Sequence, residues 1–191
     1  MTDSTVPVRG GKRERLVASA GELLHRQGAF ATTLAQVAEA ADVPAGNVYY
    51  YFKTKDDLIR AVIDGQVEQV RAMLGSLQAR RSPASRLKAL THQWAQMAEL
   101  VARYGCPFGT LAAELDRRDD GLDQAAAKPI GLILAWAEEQ FRQLSRRDAR
   151  DLAIHLFAGV QGAALLANAF RDPQLMTSQV RQLERWIDSL V

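Results

Sequence analysis

Residues 44–55 read Pro-Ala-Gly-Asn-Val-Tyr-Tyr-Tyr-Phe-Lys-Thr-Lys and concentrate aromatic and hydrogen-bonding side chains. On a helix, Val48 and Phe52 fall four apart and turn inward. Asn47, Tyr49, Tyr50 and Tyr51 are left to face outward, where such groups hydrogen-bond phosphate oxygens or base edges and contact thymine methyls. Three consecutive tyrosines on so short a helix cannot all be buried. Gly46 lets backbone approach backbone. Lys53 and Lys55 put cations at the start of the next helix, against its dipole, and that local cost points to an external anion.

A second group of residues suits a small ligand. Trp94, Met97, Tyr104, Phe108, Trp136 and Phe157 supply aromatics and a flexible thioether, as an apolar pocket needs, although core packing explains each singly. His155 and Gln161 interrupt an apolar stretch and either orient that ligand or satisfy each other. Cys106 stands before Pro107, near a helix N-terminus that favours a thiolate, with Arg103 close by. It reads either as an electrophile- or oxidant-sensing thiol or as a small buried apolar residue. The three histidines, His25, His92 and His155, are too far apart to form a metal-ligand cluster. No phosphate loop, dinucleotide fingerprint or nucleophile elbow occurs, so neither an enzyme, a metal nor a cofactor is expected.

The elements that must position these residues are helical. Of 191 residues, 48% are apolar and 24% charged, which excludes disorder, and good helix formers outnumber β-branched residues. An all-α fold of about nine helices follows. Residues 1–12 read as a flexible basic arm. In it and just beyond, Arg9, Lys12, Arg13 and Arg15 face only Glu14, a local excess of cations within a chain of net charge +2. The apolar spacing predicts a first helix over 13–27 capped by Gly28, and a short second helix opened by the Thr33/Gln36 capping box. A third helix runs to about Tyr51, and a fourth carries a stripe from Ile59 to Leu77. A fifth runs from about Leu87 to Gly105, a sixth over 107–117, and a seventh over 122–144 that Pro129 either kinks or starts. The eighth starts near Asp148 and the ninth spans Pro173 to Leu190.

Leu152 to Phe170 is free of Asp, Glu, Lys and Arg for nineteen residues, close to the roughly 20 of a membrane span. His155, Gln161 and Asn168 argue instead for a helix buried nearly all round. Its small residues, Gly159, Gly162 and Ala163 among them, suit close approach at a subunit interface. Leu166 and the second stripe Leu183, Trp186 and Ile187 complete a predicted four-helix dimer contact. One Cys and no signal-like leader predict a cytoplasmic protein without membrane partners.

Two short helices joined by a tight connection after a longer one have the spacing of a helix-turn-helix. The segment from Thr32 to Leu58, with Gly46, Tyr49, Phe52 and Lys55 in a Gly-x-x-Tyr-x-x-Phe-x-x-Lys pattern, resembles the DNA-binding domain of the TetR family of bacterial transcriptional regulators. The resemblance covers about fifty residues, from Arg13 to Ile63. It implies a DNA-binding surface of Thr32, Thr33, Ala45, Gly46, Asn47, Tyr49, Tyr50, Tyr51, Lys55 and Arg13. Within it, Thr33, Tyr49 and Lys55 meet phosphates, and Ala45, Gly46, Asn47, Tyr50 and Tyr51 meet base edges or backbone. Many members carry His where this chain has Tyr51. The resemblance further implies a reader over 13–60 and an effector-binding and dimerisation domain over 61–191. A homodimeric repressor, released from an inverted-repeat operator by a small, largely apolar or reactive effector, is then expected. A DNA-bound interaction protein or an activator without a small ligand is the alternative.

Overall fold

The computed structural model describes residues 10–191, all of whose regular elements are helices. Two compact units divide between Gly65 and Gln66, within a helix, whereas the expected boundary lay at residue 60.

In the first unit, α1 (Lys12–Ala31) buries Leu16, Ala20 and Leu24 at the expected spacing. Gly28 breaks it with φ 83, a left-handed value that glycine adopts at little cost, and one more turn follows. Lys12 belongs to this helix and not to the arm, because the Glu14 carboxylate accepts from the Gly11 N–H and caps the first turn. Residues 1–9, with Arg9 and most of the expected arm, lie outside the described residues. α2 (Leu34–Ala40) opens on the predicted capping box, with the Thr33 hydroxyl accepting from the Gln36 N–H at 3.2 Å. α3 (Ala45–Tyr51) follows Pro44 and buries Val48. The connection between them turns at Asp42, whose carboxylate lies 3.7 Å from Arg15. α4 (Lys55–Leu77) starts with Leu58, Ile59, Val62 and Ile63 buried.

The second unit holds α5 (Pro83–Gln96), α6 (Ala98–Tyr104), α7 (Gly109–Leu115), α8 (Leu122–Gln143), α9 (Ala149–Phe170) and α10 (Pro173–Asp188). The predicted fifth helix is divided at Met97, whose φ of −101 and ψ of 14 depart from helical values. Leu90, Trp94, Ala98 and Val101 remain buried across the break, so the three-and-four spacing hides it. Pro129 lies inside α8, which starts earlier at Leu122, so the proline does not mark the helix start.

α9 packs against α8, α10 and α6 through Ala153, Leu156, Phe157, Val160, Ala163, Ala164 and Ala167. By length and composition it alone among the described helices could cross a membrane, but this inner face is the core of the helical unit. The expectation that α9 is buried all round is corrected: Ile154, Leu165, Leu166 and Phe170 stand 46, 70, 50 and 70% exposed on its other side. Among the described helices α8, α10 and α6 take the packed face, while α7 borders the other side beside Leu165.

Candidate nucleic-acid interface

α3 is seven residues long, and its two faces differ sharply. Val48 and Phe52 are 1 and 3% exposed, whereas Tyr49 and Tyr50 are 57 and 77% exposed. Tyr51 is half-buried and meets Tyr50 edge-on, with centroids 5.0 Å apart, which restrains both rings. Pro44, Ala45 and Gly46 open the helix at the surface, with Asn47 half-buried beside them. No atom would meet a Cβ at Gly46 within 4 Å, so this turn offers open space to a second backbone.

Cations surround that face. Arg13 lies over the Phe52 ring, 5.4 Å from its centroid, so the α3 C-terminus and α1 share one contact. The Lys53 ammonium donates to the Tyr49 carbonyl at 3.0 Å and Lys55 to the Phe30 carbonyl at 3.3 Å. Both therefore sit at carbonyl ends of helices, where the dipole favours them. The start of α4 is neutralised separately by Asp56 and Asp57, and Asp57 exchanges hydrogen bonds with Thr54 at 2.9 and 3.1 Å. The inference that these lysines oppose their helix and need an external anion is thus corrected: local partners settle the cost.

Thr32 is also corrected as a surface residue. It is 3% exposed, and its hydroxyl donates to the Gly28 carbonyl at 2.7 Å, completing the turn that the glycine opens. Thr33 is exposed beside it, its backbone N–H donating to Gln36 Oε1 at 2.9 Å. Phe30, 95% exposed, was not among the predicted residues. The readable signal was Gly28, which interrupts the helical register just before Phe30 and so takes it off the buried stripe.

The family assignment rests on both units. Residues 16–62 match the family described as bacterial regulatory proteins, tetR family, and residues 83–183 match the tetracyclin repressor-like C-terminal domain. The chain belongs to the TetR family. Over 183 residues, 87% of this chain and 88% of the relative, it is 27% identical to an uncharacterized HTH-type transcriptional regulator in the lacX 3′ region of Lactococcus lactis subsp. lactis. It is 26% identical over 169 residues to the HTH-type transcriptional regulator LmrA of Bacillus subtilis (strain 168), covering 83% of this chain and 87% of the relative. A crystal structure of a TetR transcriptional regulator from Legionella pneumophila shares the fold, with a TM-score of 0.83 at 20% identity, over 95% of this chain and 98% of that one. This TetR-family protein is a DNA-binding helix-turn-helix transcriptional regulator, a non-enzymatic class.

The regulator's predicted ligand residues are dispersed. Trp94 and Phe157 pack edge-on in the core, centroids 5.6 Å apart, and Trp94 is 1% exposed. Its indole N–H and that of half-buried Trp136 have no acceptor. Met97 forms the α5–α6 break, Tyr104 carries Arg103 over its ring at 5.2 Å, and Phe108 packs on the edge of the core. His155 and Gln161 do not pair: His155 is exposed and lies on Trp186, ring centroids 4.7 Å apart. Gln161 and Cys106 are brought together, the amide Nε2 donating to the buried sulfur at 3.4 Å. They share a cleft of about 170 Å³ with Gly105, Gly109, Thr110, Ala113, Ala164, Leu165 and Asn168.

The predicted dimer residues divide likewise. Gly162 and Leu166 lie on the open side of α9. Ala163, Leu183 and Ile187 are 5, 3 and 0% exposed, so they are spent inside the subunit. Gly159 belongs with them, because a Cβ there would lie 3.1 Å from Gln179 and 3.2 Å from Leu183 on α10. Trp186 is half-buried between Phe141, at 5.8 Å, and His155. Ala163, Leu183 and Ile187 are thus engaged in intramolecular packing, and the α10 stripe finds apolar partners on α9, α5 and α6 of the same chain, while Gly159 and Trp186 keep partial exposure.

Proposed function

We propose that this regulator is a cytoplasmic homodimeric repressor that leaves an inverted-repeat operator when a small effector binds its second unit. One observation carries the reading: a seven-residue helix holds Tyr49 and Tyr50 out over a base of buried Val48 and Phe52. Such a helix enters the major groove, where Ala45, Gly46, Asn47, Tyr50 and Tyr51 reach base edges or backbone. Thr33, Tyr49 and Lys55 meet flanking phosphates and set the register, and Arg13 adds a phosphate contact beside Phe52.

The uncovered apolar side of α9 supports dimerisation. Ile154, Gly162, Leu165, Leu166 and Phe170 make a continuous strip of a kind that soluble monomers rarely leave in water. Two-fold pairing through that strip presents two copies of α3, about 34 to 36 Å apart or wider, to successive faces of the duplex. The effector acts by preferring the state in which those two helices are out of register with the groove. α4, common to both units, is the element that carries the change.

Selection of bound DNA from a random pool tests the reading. An enriched inverted repeat, bound by a dimer and derepressed in a reporter by some small molecule, is the expected result. Enrichment of a single half-site, or activation of the reporter, overturns the repressor assignment.

A further inference from the structure

The cleft between α7 and α9 has dimensions and chemistry that restrict what it can hold. We propose that it is the effector site and that its ligand is a small uncharged hydroxyl compound of about the size of phenol. This deepens, and rests on, the ligand-released reading above.

Size comes first. At about 170 Å³ the cleft is close to the roughly 150 Å³ that accommodates benzene and well below the 300–1,000 Å³ typical of drug-sized sites. One ring fills it. Two glycines keep it open. A Cβ at Gly105 would overlap the Thr110 methyl, and one at Gly109 would overlap the Gln161 oxygen. Without a side chain at Gly109, Gln161 reaches the Cys106 sulfur just ahead of α7.

Charge comes next. The lining contains no Asp, Glu, Lys, Arg or His. An ion there gains no counter-charge from the lining, so the site favours a neutral occupant.

The hydrogen-bonding groups then fix its polarity. Gln161 Nε2 donates to Cys106 Sγ at 3.4 Å, Asn168 Nδ2 to the Ala102 carbonyl at 3.2 Å, and the Thr110 hydroxyl to the Cys106 carbonyl at 2.8 Å. Each polar side chain thus directs a donor into the protein. Each amide keeps its oxygen, an acceptor, and a second N–H, a donor. A hydroxyl, which both donates and accepts, completes them, and an apolar ligand of the same shape does not. Ala113, Ala164 and Leu165 supply the apolar walls. Leu165 also stands on the open side of α9, so a molecule in the cleft acts directly on the surface proposed for dimerisation.

The test uses the full chain, calorimetry, and three probes of similar size: phenol, toluene and benzoate. Phenol binds about fivefold or more tightly than toluene, the worth of one hydrogen bond, and benzoate does not bind. Ala113→Phe places a ring in the cleft from an exposed position, preserves the melting temperature and abolishes phenol binding. Gln161→Leu keeps the volume, removes one of the two amides and narrows the preference for phenol over toluene. Equal binding of phenol and toluene by the unaltered protein, or phenol binding that survives Ala113→Phe, overturns the proposal.

Release of operator DNA is read separately. A protein that binds phenol in the cleft and keeps full operator affinity retains the site and loses the effector role. A protein released from DNA by other molecules but indifferent to phenol, even at millimolar concentration, retains the ligand-released reading and loses the cleft.

Discussion

Thr32 and Thr33 are chemically identical neighbours, and one backbone turn gives them opposite work. Thr32 donates into the protein and is sealed, whereas Thr33 caps α2 at the surface. Thr33→Ala removes a cap worth about 1 kcal/mol, so the denaturant midpoint falls, and Thr33→Ser restores it. If the serine variant recovers stability but not operator affinity, the threonine methyl also touches DNA. Tyr50 separates the two roles more cleanly, because at 77% exposure it contributes little to folding. Tyr50→Ala changes stability by no more than about 0.5 kcal/mol and weakens operator binding several-fold. An unchanged operator Kd in that variant would remove Tyr50 from the interface. At Cys106 the structure selects burial: the sulfur is 3% exposed and accepts from Gln161.

At the scale of elements, α9 and α10 look alike as apolar patterns and behave differently. The α10 stripe is consumed within the subunit, while α9 has a packed side and an open one. Two substitutions distinguish these fates. Leu166→Asp puts a charge on the open side and yields folded monomers, read by sedimentation and circular dichroism. Leu183→Ala leaves a core cavity and costs about 2–5 kcal/mol without changing the dimer at temperatures where the protein stays folded. A dimeric Leu166→Asp would move the subunit contact elsewhere. The Met97 break belongs to this scale too: with Leu90, Trp94, Ala98 and Val101 still in step and no Gly or Pro present, nothing local announces it.

For the whole molecule, a net charge of +2 conceals the distribution that matters for DNA. Arg13, Lys53 and Lys55 gather around α1, α3 and the start of α4, each held by a contact within the first unit. Holding them there lowers the entropy lost when they meet phosphates. Lys55→Ala weakens operator binding and lowers the slope of log K against log salt by about 0.9 per lost contact, hence about 2 for a dimer. An unchanged slope would show that Lys55 serves only the Phe30 carbonyl. The coupling proposed between DNA and effector would run through α4, which is unbroken from Lys55 to Leu77 across the division at Gly65.

The sequence by itself determined the all-helical class, the capping box at Thr33, the short helix over Val48 and Phe52, and the exposure of Tyr49 and Tyr50. These depend on spacing and on groups three or four residues apart, which the chain specifies locally. Only the tertiary structure decided which apolar side chains were spent within the subunit, that Thr32 turns inward, and that Lys53 and Lys55 hold carbonyls at helix ends. It alone assembled the α7–α9 cleft, bringing Cys106 against Gln161, fifty-five residues apart. Such pairings are set by helix packing, and a hydrophobic stripe specifies that a helix must be covered without specifying which helix covers it.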